Sequence, residues 1–558
     1  MKQVNFYLAL LIFLIPLLFF RHTLPYPFID LDDYTQILEN PFIQNFSWSA
    51  VWNLFSQFHF GQYKPLTWLT FAIDYSFWNS EPFGFRLTNL IFHALNSSLV
   101  FTLLRKMKVA LTPTLCVSFL FACHPVQIES FVWISARKHV ISTFFLLASF
   151  INHVEFRKSN KKKCQAITTF SFILALLASP ISVVFPFILI AYDYFYLQRS
   201  SLKKTIKEHL VSLVFAFIIG AVFIKASFSH WYFRHYSPFH HWHSVTANIP
   251  ILIWRYMALA FFPIRQSFMY DLLWTGSIWK NAIAALTLAG ILIGLYKKRN
   301  AQPKLPFWAS WFLIFLLPVF LLPRYSILHD RYLYLPLIGL AMVIVMSFNK
   351  LTGSWHANHF RKGTVFVLTL LVLTTYASLS WKRSLVWQNN FILISDTLRK
   401  APDHYFSHYG MAQEWMRQEK LEDALKELDK ALKAPISPSS YDAVYSTMGQ
   451  IYFLQRKYDK GIEVMQKALS IAQKDSYYIN LGVFYRRTGR FNEAIQSNLK
   501  ALEIGTKRPE VYNNLGVIYE YQGDFKKAAE AYRTALTLDP NYQEAFQNFI
   551  TLTKSKHS

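Results

Sequence analysis

Cysteine and acidic side chains are the scarce residues of this 558-residue chain. Its three cysteines, Cys116, Cys123 and Cys164, exclude a disulfide scaffold and offer no metal-ligand spacing. Acids number 32 against 57 Lys plus Arg, and residues 1–381 hold only 12 of those acids beside 32 basic side chains. With 53% apolar and 18% aromatic residues, the composition excludes both a compact soluble enzyme and intrinsic disorder. Residues 382–558 are different, with 25 basic and 20 acidic side chains, so net charge falls from +20 in the first part to +5 in the second. The two parts are built for different solvents.

A helix needs about 20 mostly apolar residues to cross a bilayer, where its backbone must satisfy itself. Such stretches lie near 5–20, 86–104, 111–123, 139–156, 165–178, 181–197, 208–226, 247–263, 280–296, 306–322, 332–348 and 364–381. The first has only Lys2 ahead of it and no small-x-small cleavage site behind it, so it reads as a retained anchor. Basic residues cluster at 105–108, 157–163, 199–207, 297–304 and 361–362, which the positive-inside rule assigns to the cytoplasm. Counting inward from both sides agrees only if 247–263, with Trp254-Arg255-Tyr256 at its middle, lies in the interface. About eleven crossings remain, and an odd number carries the second part to the outer side.

Residues 382–404 read as a linker helix, after which a period appears. Gly449, Gly482 and Gly516 recur 33 and 34 residues apart. Tyrosines flank each one: Tyr445 and Tyr452, Tyr478 and Tyr485, Tyr512 and Tyr519. Small residues follow at Gly461, Ala494 and Ala528 and again at Ala468, Ala501 and Ala535, with Pro540 closing the last unit. This is the tetratricopeptide pattern, in which small residues let paired helices approach and aromatics fill the gaps. A degenerate unit at 405–438, with Ala412, Trp415, Ala424 and Ala431 in the matching places, makes about four repeats over 405–558, and the tail from Gln543 reads as a capping helix. Such arrays hold protein partners or serve as architecture.

Nine of the twelve acids in the membrane part fall on expected outer segments: Asp30, Asp32, Asp33, Glu39, Asp74, Glu81, Glu129, Asp271 and Asp330. Three of them crowd into Phe28-Ile29-Asp30-Leu31-Asp32-Asp33-Tyr34. Adjacent carboxylates repel, which raises one pKa and makes a candidate base for deprotonating a hydroxyl. The bland alternative is a set of N-terminal acids opening an interfacial helix. Basic residues that break the positive-inside rule are the complement: Lys64, Arg137 with Lys138, and Arg324, His329 and Arg331. Cations at outer helix ends suggest an anionic ligand, most simply a lipid phosphate, against the alternative of interfacial snorkelling. His93 and His124 sit near helix ends, where packing is the commoner role for histidine.

Several strings taken together resemble a known family. Phe28 to Asn40 with Asp32-Asp33, Tyr63-Lys64-Pro65-Leu66-Thr67, Asn89 with His93-Ala94-Leu95-Asn96, His124-Pro125-Val126, Arg137-Lys138, Pro186 with Tyr192-Asp193, and Asp330-Arg331-Tyr332-Leu333-Tyr334-Leu335-Pro336 look like the transmembrane and tetratricopeptide-repeat O-mannosyltransferases and their bacterial relatives. The resemblance implies an all-α fold: a polytopic helix bundle of the GT-C glycosyltransferase class over 1–381, followed by the repeat solenoid. It implies an inverting enzyme that moves a mannose-like hexose from a polyprenyl-phosphate donor to a hydroxyl of a protein or glycan acceptor. Asp32 or Asp33 is then the catalytic base, Arg137, Lys138, Arg331 and Lys64 are donor-phosphate ligands, and His93, His124, Glu129 and Asp330 are further pocket residues. The family's Arg is Lys64 here, and its Ser-Lys before the sixth crossing reads Ala178-Ser179-Pro180. Beyond the lipid-linked donor no cofactor is implied, although paired aspartates leave a divalent cation open. Expected partners are the bilayer, the donor lipid and a protein held by the repeats, with no nucleic acid. The expected location is a bacterial inner membrane with periplasmic repeats, or the ER membrane with luminal repeats in a eukaryote. The rival expectation is a non-enzymatic scaffold that gathers partners for envelope assembly.

Overall fold

The computed structural model describes residues 2–199, 201–229, 238–270, 278–321, 328–351, 359–434, 441–505 and 508–555. Among them no β-strand occurs, and the chain divides into two compact units, Met1–Lys400 and Ala401–Ser558.

Each of the twelve apolar stretches carries a helix. Five, Pro82–Lys106, Ile134–Ser159, Leu210–Phe228, Ile278–Lys297 and Gly363–Leu385, have the length and apolarity to cross a membrane. A sixth span is made by Leu111–Cys123 with Pro125–Val132 if the 48° bend between them lies inside one crossing. Pro125 explains the bend, because it lacks the N–H that would continue the ladder. Shorter apolar helices at Gln3–Phe19, Pro180–Tyr196, Asn248–Phe261, Lys304–Phe320 and Pro336–Phe348 accompany them.

The ends of these helices gather different residues. At one end Lys106 pairs with Glu155 at 2.8 Å, and Lys158 donates to the Lys106 carbonyl, so two of the basic clusters meet there. At the other end the segment 20–64 folds over helix termini on an apolar base of Phe28, Ile37, Leu54, Trp68, Phe71, Phe85 and Ile134. A wide π-helical turn, Tyr34–Leu38, follows the aspartate pair directly. Such turns recur at functional sites, since they displace side chains from the regular α-register.

The segment after the last long helix is helical over Asn390–Lys400 and packs within the first unit, with Trp387, Leu393 and Ile394 buried. The second unit comprises four helix pairs, Tyr405–Arg417 with Leu421–Lys433, Tyr441–Leu454 with Tyr458–Ile471, Asp475–Arg487 with Phe491–Glu503, and Pro509–Tyr521 with Phe525–Leu538, and then Gln543–Ser555. The periodic glycines mark where partner helices touch. A Cβ on Gly482 would stand 2.4 Å from Asn498 Nδ2, and one on Gly516 would stand 2.5 Å from the Tyr532 ring, so any larger residue forces the partner side chain to move.

Candidate active site

The two adjacent aspartates have opposite environments. Asp33 is fully buried. Its Oδ1 accepts the Ser135 N–H at 2.9 Å and the Ser135 hydroxyl at 2.5 Å, and its Oδ2 accepts the Ile29 N–H at 3.0 Å. Burial pushes its pKa up, while the Ser135 and Ile29 bonds and the charge of Arg86 hold it back. The two Ser135 bonds tie the 28–34 loop to the turn before the Arg137 helix, the Ile29 bond braces the loop internally, and together they engage both oxygens of Asp33. Asp32 is half-buried, and its carboxylate makes no hydrogen bond or ion pair with the described residues.

The charge of Asp32 reaches two basic side chains, Lys64 and Arg331. Lys64, 1% exposed, caps the Pro65–Trp78 helix, donates from Nζ to Gln36 Oε1 at 2.9 Å and lies 4.1 Å from the centre of the Trp68 ring. Burial and the positive charge of Lys138 hold its ammonium well below the usual lysine range, opposed by the negative charge of Asp32. Arg331 donates from Nη1 and from its backbone N–H to the buried Glu129, and its guanidinium stands 5.1 Å from the Trp133 and Tyr332 rings. Burial opposes its charge, but Glu129 and, more weakly, Asp32 raise its pKa above the ordinary arginine value. Asp32 therefore acts electrostatically on both Lys64 and Arg331, and Lys138 adds positive charge at Lys64. The set links a half-buried carboxylate by charge to Lys64 and to Arg331, the second of which is already paired with Glu129.

Other residues singled out from sequence stand apart. Arg137 is buried and has every nitrogen engaged: Nε with Asn89 at 2.7 Å, Nη1 with Thr70, and Nη2 with the Phe85 carbonyl at 2.8 Å and Asp74 at 2.5 Å. It joins three helices and keeps no donor for a phosphate. His93 contacts the Tyr334 hydroxyl at 2.8 Å and the Ala122 carbonyl at 3.1 Å, and its ring stacks on Phe131. His124 contacts the Ala260 carbonyl at 3.0 Å and accepts the Val126 N–H at 3.3 Å. Both are packing histidines with both ring nitrogens used. Asp330 is buried, accepting from the Tyr270 hydroxyl at 2.5 Å and from Gln266 at 2.9 Å, with Arg383 at 3.5 Å. Burial pushes its carboxyl up to about 7, with Arg383 pulling the other way and Glu129 adding to the rise. Arg324 and Asp271 lie outside the described residues.

Sequence reading missed Gln36, Ser135, Trp133 and Tyr270, since nothing in the chain marks partners separated by 28 to 198 residues. At the opposite end, His153, Asp193 and His209 bring three metal-competent atoms within 4.8 Å of one another, the one such group among the described residues. Arg157 already donates twice to that Asp193 carboxylate, so the cluster is charge-satisfied as it stands.

Comparison with known proteins agrees with both units. Tetratricopeptide-repeat family profiles match residues 409–477, 476–508 and 509–542. A protein O-mannosyl-transferase of Caenorhabditis elegans is 25% identical over 413 residues, 68% of this chain and 56% of that protein. Homo sapiens protein O-mannosyl-transferase TMTC3 is 34% identical over 91 residues, 16% of this chain and 10% of that protein. Mus musculus protein O-mannosyl-transferase TMTC4 is 29% identical over 137 residues, 22% of this chain and 18% of that protein. The chain thus spans about half the length of the first of these relatives and less of the others. Among solved structures, the MamA protein aligns at 20% identity and TM-score 0.24 over 26% of this chain and 78% of that one. The Arabidopsis OM64 repeat domain aligns at 23% identity and TM-score 0.21 over 21% and 99%.

Proposed function

We propose that this chain, a multi-pass relative of the transmembrane and tetratricopeptide-repeat protein O-mannosyl-transferases, transfers a mannose-like hexose from a polyprenyl-phosphate donor to a hydroxyl of a protein or glycan acceptor. The observation that carries the reading is the half-buried carboxylate of Asp32, unpartnered among the described residues and within the electrostatic reach of Lys64 and Arg331. Asp32 accepts the acceptor's hydroxyl proton, and the oxygen attacks the anomeric carbon. The bond from that carbon to the phosphate oxygen breaks, and polyprenyl phosphate leaves with its negative charge met by Arg331, Lys64 and Lys138. One displacement inverts the anomeric centre. The proton on Asp32 then passes to solvent.

The Asp32 end of the bundle lies opposite the end where Arg105, Lys106, Lys108 and Arg157 gather, so the positive-inside rule supports an outer or luminal centre in a GT-C-like bundle. A bacterial inner membrane with periplasmic repeats suits that sidedness, and the repeats hold the acceptor or a protein partner. Both oxygens of Asp33 already hold the loop, so an ion at this centre would rest chiefly on Asp32 and the donor phosphate.

The test is transfer from radiolabelled polyprenyl-phosphate mannose to Ser/Thr-containing peptides by the full chain in proteoliposomes. Wild type transfers and Asp32→Asn does not, with unchanged thermal stability. Full transfer by Asp32→Asn removes the proposed base. A scaffold would instead tolerate Asp32→Asn in cells and lose function when 405–558 is deleted; the uncharged Ala178-Ser179-Pro180 string favours that second reading.

A further inference from the structure

The last turn of the last long apolar helix and the segment after it touch residues next to Asp32 and Arg331 at two separate places. At the first, the Asp30 backbone N–H donates to Asn390 Oδ1 at 2.7 Å, two residues before Asp32 and across 360 residues of chain. Asn390 opens the Asn390–Lys400 helix, whose start is capped independently by Asn389 accepting the Ile392 N–H at 2.9 Å. At the second, Arg383 faces Asp330 at 3.5 Å and Asp396 at 3.3 Å, and Lys400 donates to Asp396 and to the Gln266 carbonyl, both at 2.6 Å. Asp330 is the residue before Arg331. Between the two places Trp387 is buried and stacks on Trp133, the ring that the Arg331 guanidinium covers from 5.1 Å.

We propose that Asn390 and Arg383 are positioning residues for the Asp32 centre: Asn390 sets the loop that carries the base, and Arg383 sets the turn that carries the phosphate-binding Arg331. The proposal rests on the transfer reading above. Its physical basis is reach. A carboxylate acts as a base only within hydrogen-bond distance of the proton it takes, and a shift of about 1 Å costs about a hundredfold in rate. Asp33 fixes the loop on one side through Ser135 and Ile29, and the Asn390 bond fixes it on the other, so Asp32 hangs between two anchors. Neither Asn390 nor Arg383 touches substrate in this scheme.

Two anchors on two different groups predict a split that general loosening of the fold does not produce. Steady-state transfer by the full chain in proteoliposomes, with polyprenyl-phosphate mannose as the varied donor, reads it. Asn390→Leu removes the acceptor oxygen and is expected to lower kcat about tenfold or more with donor KM within about twofold of wild type. Asn390→Asp keeps an oxygen in place and adds a favourable charge in the first helical turn, so it is expected to restore most of that turnover. Arg383→Lys keeps the charge but loses the fork to Asp330 and Asp396, and is expected to raise donor KM about fivefold or more with kcat within about twofold.

Wild-type kcat in Asn390→Leu, equal losses in Asn390→Leu and Asn390→Asp, or the same joint change of kcat and KM in the Asn390 and Arg383 variants overturns the proposal. Should Asn390→Leu not accumulate as folded protein, Asn390→Ala is read in the same way. Asp32→Asn is assayed alongside. Its inactivity beside an undiminished Asn390→Leu sinks the positioning role alone, whereas its full activity sinks the transfer reading itself.

Discussion

Ser135 gives Asp33 two hydrogen bonds, from its backbone N–H at 2.9 Å and its hydroxyl at 2.5 Å, across 102 residues of chain. That pairing divides the work between two adjacent, chemically identical side chains. The carboxylate that is bonded on both oxygens holds the loop, and its neighbour stays open.

The first prediction follows from this division. Asp33→Asn turns an amide toward donors that need an acceptor, so the full chain in detergent should lose about 1–3 kcal/mol of stability, seen as a lower thermal midpoint. Asp32→Asn should leave that midpoint unchanged and abolish transfer. Equal stabilities of the two variants would contradict the assignment.

Lys64 sets a pH dependence of donor binding. Burial and Lys138 hold its pKa well below the usual lysine value of 10.5, so a bound phosphate returns a proton to it. Donor KM should rise with pH in wild type and rise less in Lys64→Met, measured as KM from pH 6 to 9. For folding the sign follows from linkage: the unfolded lysine keeps a proton that the folded one sheds, so this group makes stability rise with pH up to about 10.5.

Asp330 works in the other direction. Its folded pKa is raised from 3.8 to about 7, so the folded chain holds a proton that the unfolded chain has lost. The stability this contributes is complete below about pH 4 and fades as pH rises through 7. Thermal midpoints of the full chain between pH 5 and 8 should fall more steeply in wild type than in Asp330→Asn.

In the repeat unit, Gly482→Ala places a methyl group 2.4 Å from Asn498 Nδ2, whose side chain is itself buried and bonded to the Ala494 carbonyl at 2.8 Å. The cost should be about 1–3 kcal/mol, read as earlier proteolysis within 401–558 at unchanged protection of 1–400. Cleavage at wild-type rates would show that the helix pair relaxes around the methyl group.

Much of this was legible in the chain. The 33- and 34-residue glycine spacing announced helix pairs, because a repeat buries its core against the next copy of itself, and the contacts lie within one period. The apolar stretches announced helices, because a backbone in lipid has no other way to satisfy itself. Asp32 stood out as one of three crowded acids, and Lys64, Lys138 and Arg331 as cations at the wrong end of apolar helices; the charge of Asp32 reaches Lys64 and Arg331. Arg137 stood out by the same signal as Lys64 and is bonded elsewhere, and His93, read near a helix end with packing as the commoner role, is indeed bonded on both ring nitrogens; sequence does not show which partner satisfies a polar group.

The amino-acid order alone decided that the described residues form helices and no strand, that an apolar part precedes a repeat array, and that basic residues cluster in alternate connections. Those properties are local or periodic, set by helical reach and by the cost of an unbonded backbone. Only the tertiary structure decided that Asp33 and not Asp32 is bonded to Ser135, that Arg137 is bonded to Asn89 while Arg331 feels the charge of Asp32, and that Asn390 bonds the Asp30 backbone from 360 residues away. Each of these depends on hydrogen bonds between distant segments, whose geometry exists only once the helices have packed.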